Sequence, residues 1–367
     1  MKKKILAIDQ GEHLGGAERF LAELLNRLPE HEIHLICSGN PEYLKLYKKN
    51  SVVIHELELP KLKPIRFQQF IRYRKAQAQL QKVIAHVKPD LILSNTVRTH
   101  LLISPLAKGF RIPLIWMAHD KTFPSSLLKW FLKYPRMVVS CSKYIEKFYK
   151  SHTKRTDLIF EVLYPFGVEP EIIKKLKKIK KQKTVGMVGK FIPWKNQLTF
   201  LQAVKDLEKL YPEYRFAIIG SPYEGNPESE AYFQQCSDFV LHNQLQKRIS
   251  LKKSVPNILK ALAGCDILVH CSSEPEPLGR VVLEGMAAGC AVIASPYGGP
   301  SEVIQHRQTG VLCKPDLATL KKELMDLLKD REERDRLGKL AQAKAEDEYA
   351  WEKVVLQFNN ILRFSSE

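Results

Sequence analysis

The chain has 367 residues, a length that suits two domains, each folded around its own apolar core. Hydrophobic residues make up 44% of the chain and charged residues 27%, which is typical of globular proteins and excludes collagenous, disordered and coiled-coil architectures. The formal net charge is +18, and residues 1–168 hold 28 Lys and Arg against 14 Asp and Glu, so we expect the first half to face an anionic partner, with a solvated basic face as the alternative.

Short strands rich in Ile, Val and Leu alternate with helical patterns, which predicts parallel β-α-β winding. The apolar run of the first strand is interrupted at Asp9 and Gln10, which argues against a signal peptide. Strands are predicted in the first half at Lys4–Asp9, Glu32–Cys37, Leu91–Ser94, Leu114–Ala118 and Arg136–Ser140. Those of the second half are predicted at Thr184–Gly189, Arg215–Gly220, Ile267–His270 and Ala291–Ala294. Second-half helices are predicted at Gln197–Leu210, Gly279–Ala288 and Leu317–Lys329.

The two halves repeat one plan, so we predict two doubly wound α/β domains. A basic, low-complexity run at 172–181 indicates a solvated linker and places the boundary between residues 1–168 and 169–350. The tail at about 351–367 has apolar residues at helical spacing and is predicted to pack back on the first domain.

Cysteine usage and hydropathy favour a cytoplasmic protein. The seven cysteines are odd in number and contain no CxxC pair, which argues against a disulfide framework or a zinc site. No run of about 18 uncharged apolar residues is present, so we expect no membrane-spanning helix.

Two turns carry features of phosphate sites. Gly15 and Gly16 precede a helical pattern, and a glycine-rich helix N-terminus favours phosphate. This turn lacks the GxGxxG and P-loop spacings, and a tight turn without a ligand explains the same residues. Lys190 and Lys195 follow a strand at its carboxyl end, where open α/β sheets bind ligands. Two cations there suit a diphosphate, with surface lysines as the alternative.

The strongest pattern begins at Glu276. Pro277 and Gly279 open a helix, and Glu284 lies on it six residues after Leu278, about 9 Å from the N-terminus at a rise of 1.5 Å per residue. Phosphates at the helix N-terminus and a ribose at Glu284 fit this span. Glu276 would then point to the group attached to the phosphates. An acidic cap followed by a surface glutamate is the alternative.

The E-x7-E spacing of Glu276 and Glu284 resembles the donor motif of the family 4 retaining glycosyltransferases of GT-B fold, of bacterial polysaccharide and lipopolysaccharide type. The Gly15-Gly16, Gly189-Lys190 and Gly298-Gly299 turns follow in that family's order, so the resemblance covers nearly the whole chain. It implies two Rossmann-like domains facing a cleft. It also implies transfer of a sugar, with retention, from a nucleotide diphosphate to a glycan or glycolipid acceptor.

The resemblance also assigns roles to single residues. It implies that Glu284 binds the ribose hydroxyls and that Glu276 binds hydroxyls of the donor sugar. His119 would lie near the donor sugar, and Gly16 would belong to the acceptor-side phosphate loop. Cations and amides would bind the diphosphate, namely Lys190, Lys195, Leu278 and Gly279. The implied catalytic residues are His119, Glu276 and Lys195.

Two positions depart from the family pattern. Lys190 stands where Arg is usual, which keeps the charge but loses bidentate phosphate binding. Phe166-Gly167 stands where Asn-Gly is usual, which leaves the hinge contact open. The chain has no Asp-x-Asp motif, and basic groups can replace a metal, so we expect neither a metal nor another cofactor.

Two other functions remain alternatives. One is a catalytically silent GT-B subunit that partners another transferase. The other is a basic protein that binds nucleic acid or an anionic surface. We expect no nucleic-acid partner, because the chain has no DNA- or RNA-binding motif and the acidic pair would repel phosphates unless it forms a donor site.

Charge and aromatic residues in the first half point to a membrane surface. The segment Thr122–Tyr134 combines apolar and aromatic residues with lysines, as in helices that lie in a membrane interface. A core helix with solvated lysines is the alternative. A second basic stretch holds Lys61, Lys63, Arg66, Arg72, Arg74 and Lys75. We therefore expect peripheral association with the inner face of the cytoplasmic membrane.

Overall fold

The computed structural model describes residues 2–11, 14–47, 51–60, 67–121 and 125–364. The chain divides into two compact units. Unit 1 consists of Met1–Pro165 and Val354–Glu367, and unit 2 of Phe166–Lys353.

Unit 1 is built on a parallel sheet that has seven strands within the described ranges, in the order β3-β2-β1-β4-β5-β6-β7. The strands are β1 (Lys4–Ile8), β2 (Glu32–Cys37), β3 (Val53–Glu56), β4 (Leu91–Ser94), β5 (Leu114–Ala118), β6 (Met137–Ser140) and β7 (Ile159–Val162). The helices between them are α1 (Gly16–Leu25), α2 (Pro41–Leu44), α3 (Phe67–Val87), α4 (Val97–Phe110), α5 (Ser125–Phe131) and α6 (Lys143–Lys150). The strand order changes direction between β1 and β4, which is the switch point where such sheets bind ligands.

Unit 2 repeats this plan with six parallel strands among its described residues, in the order β10-β9-β8-β11-β12-β13. The strands are β8 (Thr184–Val188), β9 (Arg215–Ile219), β10 (Ile249–Lys252), β11 (Ile267–His270), β12 (Ala291–Ala294) and β13 (Val311–Leu312). The helices begin with α7 (Pro170–Leu176), α8 (Gln197–Leu207), α9 (Pro227–His242), α10 (Ile258–Ala263) and α11 (Arg280–Ala287). They continue with α12 (Pro300–Val303), α13 (Leu317–Lys329) and α14 (Arg331–Glu348). The last helix, α15 (Trp351–Phe364), begins in unit 2, and from Val354 it belongs to unit 1.

The central strands are mostly apolar because helices cover both faces of a parallel sheet. In unit 1, Ile5, Leu6 and Ile8 are fully buried, and in unit 2 the same holds for Ile267 and Val269. These apolar runs fix the strands, and the residues that follow them at the carboxyl ends are therefore held in place.

The last helix, α15, joins the sheet of unit 1. Its residues Phe358 and Leu362 are buried, and the Gln357 side chain donates to the carbonyl of Val162 at 2.7 Å. The Lys3 ammonium group donates to the carbonyl of Leu362. These contacts hold the C-terminal part of α15 beside β1 and β7.

The predicted fold class is confirmed, and each predicted strand is present with ends within one residue. The basic run at 172–181 differs from the expected linker, because its first half belongs to α7 and buries Ile173 and Leu176. All seven cysteines are buried free thiols. Within the described residues, every helix is too short or too polar to cross a membrane.

His100 provides a test of how this core responds to pH. Its ring is buried against Trp116, with Nε2 3.0 Å from the carbonyl of Phe131 and Nδ1 3.0 Å from the Ser94 hydroxyl. Burial lowers the pKa of His100 to about 4. An unfolded histidine takes up a proton near pH 6.5, so the unfolded state binds more protons between pH 6.5 and 4. Stability should therefore fall as the pH falls through this window.

We expect His100→Phe to lose less stability than the wild type on acidification, by up to about 3 kcal/mol between pH 7 and 4. Urea unfolding at a series of pH values measures this difference. The matched control is His242→Phe, which changes an exposed histidine. Identical pH dependence of stability in the wild type and His100→Phe would show that the lowered pKa of His100 does not cause the loss of stability in acid.

Candidate functional site

The candidate site of unit 2 begins at the carboxyl ends of β8 and β9. These ends approach so closely that a Cβ on Gly220 would lie 1.8 Å from the carbonyl oxygen of Gly189. Lys190 follows with an exposed side chain, whose Nζ lies 2.9 Å from the Ser221 hydroxyl and 5.2 Å from the centre of the Tyr223 ring. The close approach of the two strands therefore holds the Lys190 ammonium group at their carboxyl ends.

Lys195 lies at the end of a short 3₁₀ turn, Pro193–Lys195, that leads into α8. The turn is closed by Asn196 in the left-handed conformation, with φ 64°, which asparagine adopts more readily than most residues. The Lys195 ammonium lies 4.5 Å from the centre of the Trp194 ring. The Gln197 side chain donates to the carbonyl of Lys190 at 2.8 Å, so the two lysines share one loop.

Glu276 is the centre of this site. Its carboxylate is buried, and Oε1 accepts hydrogen bonds from three side chains. These are Lys195, His270 at 2.6 Å and Ser272 at 2.5 Å. His270 ends β11 and Ser272 follows it, so neighbouring strand ends supply the donors.

The surroundings decide the charge of Glu276. Burial alone would raise the pKa of this carboxyl, but the charges and hydrogen bonds of His270 and Lys195 outweigh burial and lower it far below its usual value. The carboxylate is therefore ionised at all physiological pH values. Removing one partner of a buried ion pair strongly destabilises the fold, because the other charge is left buried without compensation.

The backbone of Glu276 is held by the glycine loop that follows β12. Gly298 forms a bridge with Glu276, and the Gly299 amide donates to the Glu276 carbonyl at 2.9 Å. Gly298 has φ 74°, and a Cβ there would lie 2.1 Å from the Glu276 carbonyl oxygen. Only glycine fits, so this loop supports the Glu276 segment.

Glu284 projects from α11, which begins after Gly279 with φ 73°. Its Oε1 accepts a hydrogen bond from Arg280 Nε at 3.1 Å, one helical turn before it. Its side chain is 14% exposed, and that of Arg280 is 21% exposed. Leu278 and Gly279 precede the helix, so their position at its N-terminus matches the prediction.

His119 follows β5 in unit 1, where Nε2 lies 2.9 Å from Oδ1 of the buried Asn95. Burial lowers the pKa of His119 to about 4, so the imidazole is neutral at pH 7. Because an amide oxygen only accepts, Nε2 carries the proton and donates to Asn95. Asn95 follows β4, and the two strands pair, which explains why the side chains meet.

Gly16 begins α1, and the preceding Gly15 amide donates to the Glu18 carboxylate at 3.0 Å. Burial, with a smaller contribution from the Asp9 charge, raises the pKa of Glu18 to about 7. Asp9 is fully buried at the end of β1 and accepts a hydrogen bond from Tyr43 at 2.6 Å. The Gly16 turn is thus bordered by two carboxyl groups.

The structure brings Lys195 and Glu276 into direct contact, whereas Lys190 and Glu284 contact other side chains. The sequence patterns did not indicate the partners His270, Ser272 and Asn95. All three stand at or just beyond the carboxyl end of a strand, which is the signal that could have found them. In the part of the chain that is described, no group of three or more His, Cys, Asp or Glu side chains is arranged to hold a metal ion.

Two family models match consecutive parts of the chain. The model for Glycosyltransferase Family 4 matches residues 14–160, and the model for Glycosyl transferases group 1 matches residues 168–344. Together the two matches span most of both units.

Individual proteins are similar over most of their length. N-acetyl-alpha-D-glucosaminyl L-malate synthase of Bacillus anthracis is 25% identical over 371 residues, which covers 95% of this chain and 93% of that protein. A lipopolysaccharide core biosynthesis glycosyltransferase of Rhizobium meliloti is 26% identical and covers 84% and 83%. The structure of Anabaena HepE in complex with UDP and glucose superposes with a TM-score of 0.82 at 21% identity, covering 99% of this chain and all of that one.

Proposed function

The chain belongs to the family 4 glycosyltransferases of GT-B fold, and we propose that it transfers a sugar, with retention, from a nucleotide diphosphate to a glycan or glycolipid acceptor. The observation that carries this proposal is the buried Glu276 carboxylate beside Lys195, with Glu284 on the helix that follows. Glu276 precedes α11 and Glu284 lies within it, and the N-terminus of this helix favours phosphate.

Donor binding divides among these groups. Glu284 binds the ribose hydroxyls, and the Leu278 and Gly279 amides bind the diphosphate. Glu276 accepts hydrogen bonds from the donor sugar. The HepE structure, which holds UDP and glucose, supports a nucleotide sugar as the donor. His119 and Gly16 keep the roles that the resemblance implies.

Transfer needs no nucleophile from the protein. The bond between the anomeric carbon and the phosphate oxygen breaks, and the acceptor oxygen bonds to the same face of that carbon. The departing phosphate takes the acceptor proton. Lys190 and Lys195 stabilise the charge that develops on this leaving group, and we propose that they replace a metal ion.

Glu284 tests donor binding. A thermal-shift screen of uridine, guanosine and adenosine diphosphates first identifies the base, because a bound ligand stabilises the fold. Glu284→Ala should then weaken binding of that nucleotide by about 1.5–3 kcal/mol, the range for a hydrogen bond to a charged group. Isothermal titration calorimetry measures the loss.

Glu274→Ala is the matched control, because Glu274 is an exposed glutamate in the loop before the same helix. It should bind the nucleotide like the wild type. Equal affinity of Glu284→Ala and the wild type would rule out the ribose contact. Stabilisation by an oligonucleotide, with none by a nucleotide, would favour a nucleic-acid binder.

We propose further that the enzyme acts in cell-surface polysaccharide synthesis, as a cytoplasmic enzyme peripheral to the inner face of the cytoplasmic membrane. The lipopolysaccharide relative from Rhizobium meliloti supports the first part. An aromatic-basic surface on unit 1 supports the second, and we define it as Lys108, Phe110, Lys129, Trp130, Lys133 and Tyr134. Phe110 is 37% and Trp130 38% exposed. Lys108 and Lys133 lie over the Tyr134 ring, at 5.3 and 5.6 Å from its centre.

The second basic stretch is described only in part. Arg72, Arg74 and Lys75 are exposed on α3. Lys61, Lys63, Arg66 and Thr122–Pro124 lie outside the described residues. The membrane proposal therefore depends on the aromatic-basic surface, whose lysines each contribute about 1 kcal/mol near an anionic leaflet.

Liposome flotation tests this surface. The wild type should float with anionic vesicles at low salt and bind them less at raised salt. It should not float with neutral vesicles. Trp130→Ser with Lys129→Glu and Lys133→Glu should abolish flotation. The control is Leu241→Ser with Lys247→Glu and Lys252→Glu, which changes exposed residues of unit 2. Failure of the wild type to float with anionic vesicles at low salt would contradict the membrane proposal and would favour a soluble acceptor.

A further inference from the structure

We propose that His270 is a positioning residue for sugar transfer, which it serves by fixing the orientation of the Glu276 carboxylate. The inference rests on the proposed function, because it assigns Glu276 to the donor sugar. His270 itself would touch neither substrate nor the reacting atoms.

The contacts of Glu276 divide between its two oxygens. Oε1 accepts from His270, Lys195 and Ser272, whereas no hydrogen bond reaches Oε2 from the described part of the chain. The plane of a carboxylate is set once one oxygen is fixed by several donors. Oε2 is therefore the oxygen that can accept from a sugar hydroxyl.

Of the two nitrogen donors, Lys195 and His270, His270 is the one that a bound donor substrate would not displace. Lys195 is a flexible side chain, 16% exposed, and it gains a competing anion when a diphosphate enters. The His270 side chain is 2% exposed, and its backbone is held in β11, where its carbonyl accepts from the Ser295 amide at 2.9 Å. The imidazole therefore keeps Glu276 oriented while Lys195 binds phosphate.

The other ring nitrogen argues against a packing role. Nδ1 of His270 is buried and has no hydrogen-bond partner among the described residues. An unsatisfied buried polar atom costs about 1–3 kcal/mol, which an apolar side chain at this position would avoid. The cost is understandable if Nε2 is needed for Glu276.

The surrounding space is shaped for this contact. A Cβ on Gly279 would lie 3.3 Å from His270 Nε2 and 3.6 Å from Glu276 Oε2. Gly279 thus lets the N-terminus of α11 approach the imidazole and the carboxylate together. The helix end proposed for the diphosphate and the carboxylate proposed for the sugar share one support.

A double-mutant cycle tests the proposal. His270→Ala should lower kcat at saturating donor about 10- to 100-fold, the effect of a misplaced group. Affinity for the nucleoside diphosphate should change less than about twofold, because Glu276 binds the sugar. His270→Gln, which retains a donor, should recover part of kcat. In the Glu276→Gln background, His270→Ala should change kcat less than about twofold.

Val269→Ala is the control for lost packing, since Val269 is the fully buried neighbour on β11. It should lower thermal stability while kcat stays near the wild-type value. Equal kcat losses from His270→Ala in both backgrounds would overturn the positioning role and leave the proposed function intact. Absence of transfer by the wild type with every nucleotide sugar would instead reject the proposed function, and the His270 role with it.

Discussion

A buried, ionised carboxylate constrains the structure of unit 2. An anion leaves water at low cost only when cations and hydrogen-bond donors surround it, and Glu276 is surrounded by Lys195, His270 and Ser272. These residues follow β8 and β11, which pair in the sheet. The parallel winding therefore does more than form a core. It brings the groups that keep Glu276 charged together at the carboxyl ends of neighbouring strands.

Backbone devices complete the arrangement. The Gly298 loop holds the Glu276 carbonyl, and Gly279 begins α11 in a conformation that other residues rarely adopt. Glu284 follows on the same helix and is oriented by Arg280. The carboxyl ends of paired strands also bring side chains together in unit 1, where the neutral His119 donates to Asn95. In each unit, rigid strands position side chains that would be costly to bury alone.

The sequence predicted the central strands but none of the four at the sheet edges, β3, β7, β10 and β13. Edge strands are covered on fewer sides, so they lack the continuous apolar run that identifies a central strand. Glu276, Glu284 and Lys195 were proposed as site residues from the sequence because their spacing forms a pattern. His270 and Asn95 were not, because their roles depend on partners that only the folded sheet brings close. The contact between Lys195 and Glu276, 81 residues apart, is of the same kind.

The stereochemistry of the product is the most direct test of a retaining glycosyl transfer. The nucleotide sugar selected by ligand screening would be incubated with the protein and a panel of glycan and glycolipid acceptors, and the new linkage examined by proton NMR. We predict that the transferred sugar keeps the anomeric configuration it has in the donor, because entry and departure occur on one face of the ring. A product of opposite configuration would contradict it.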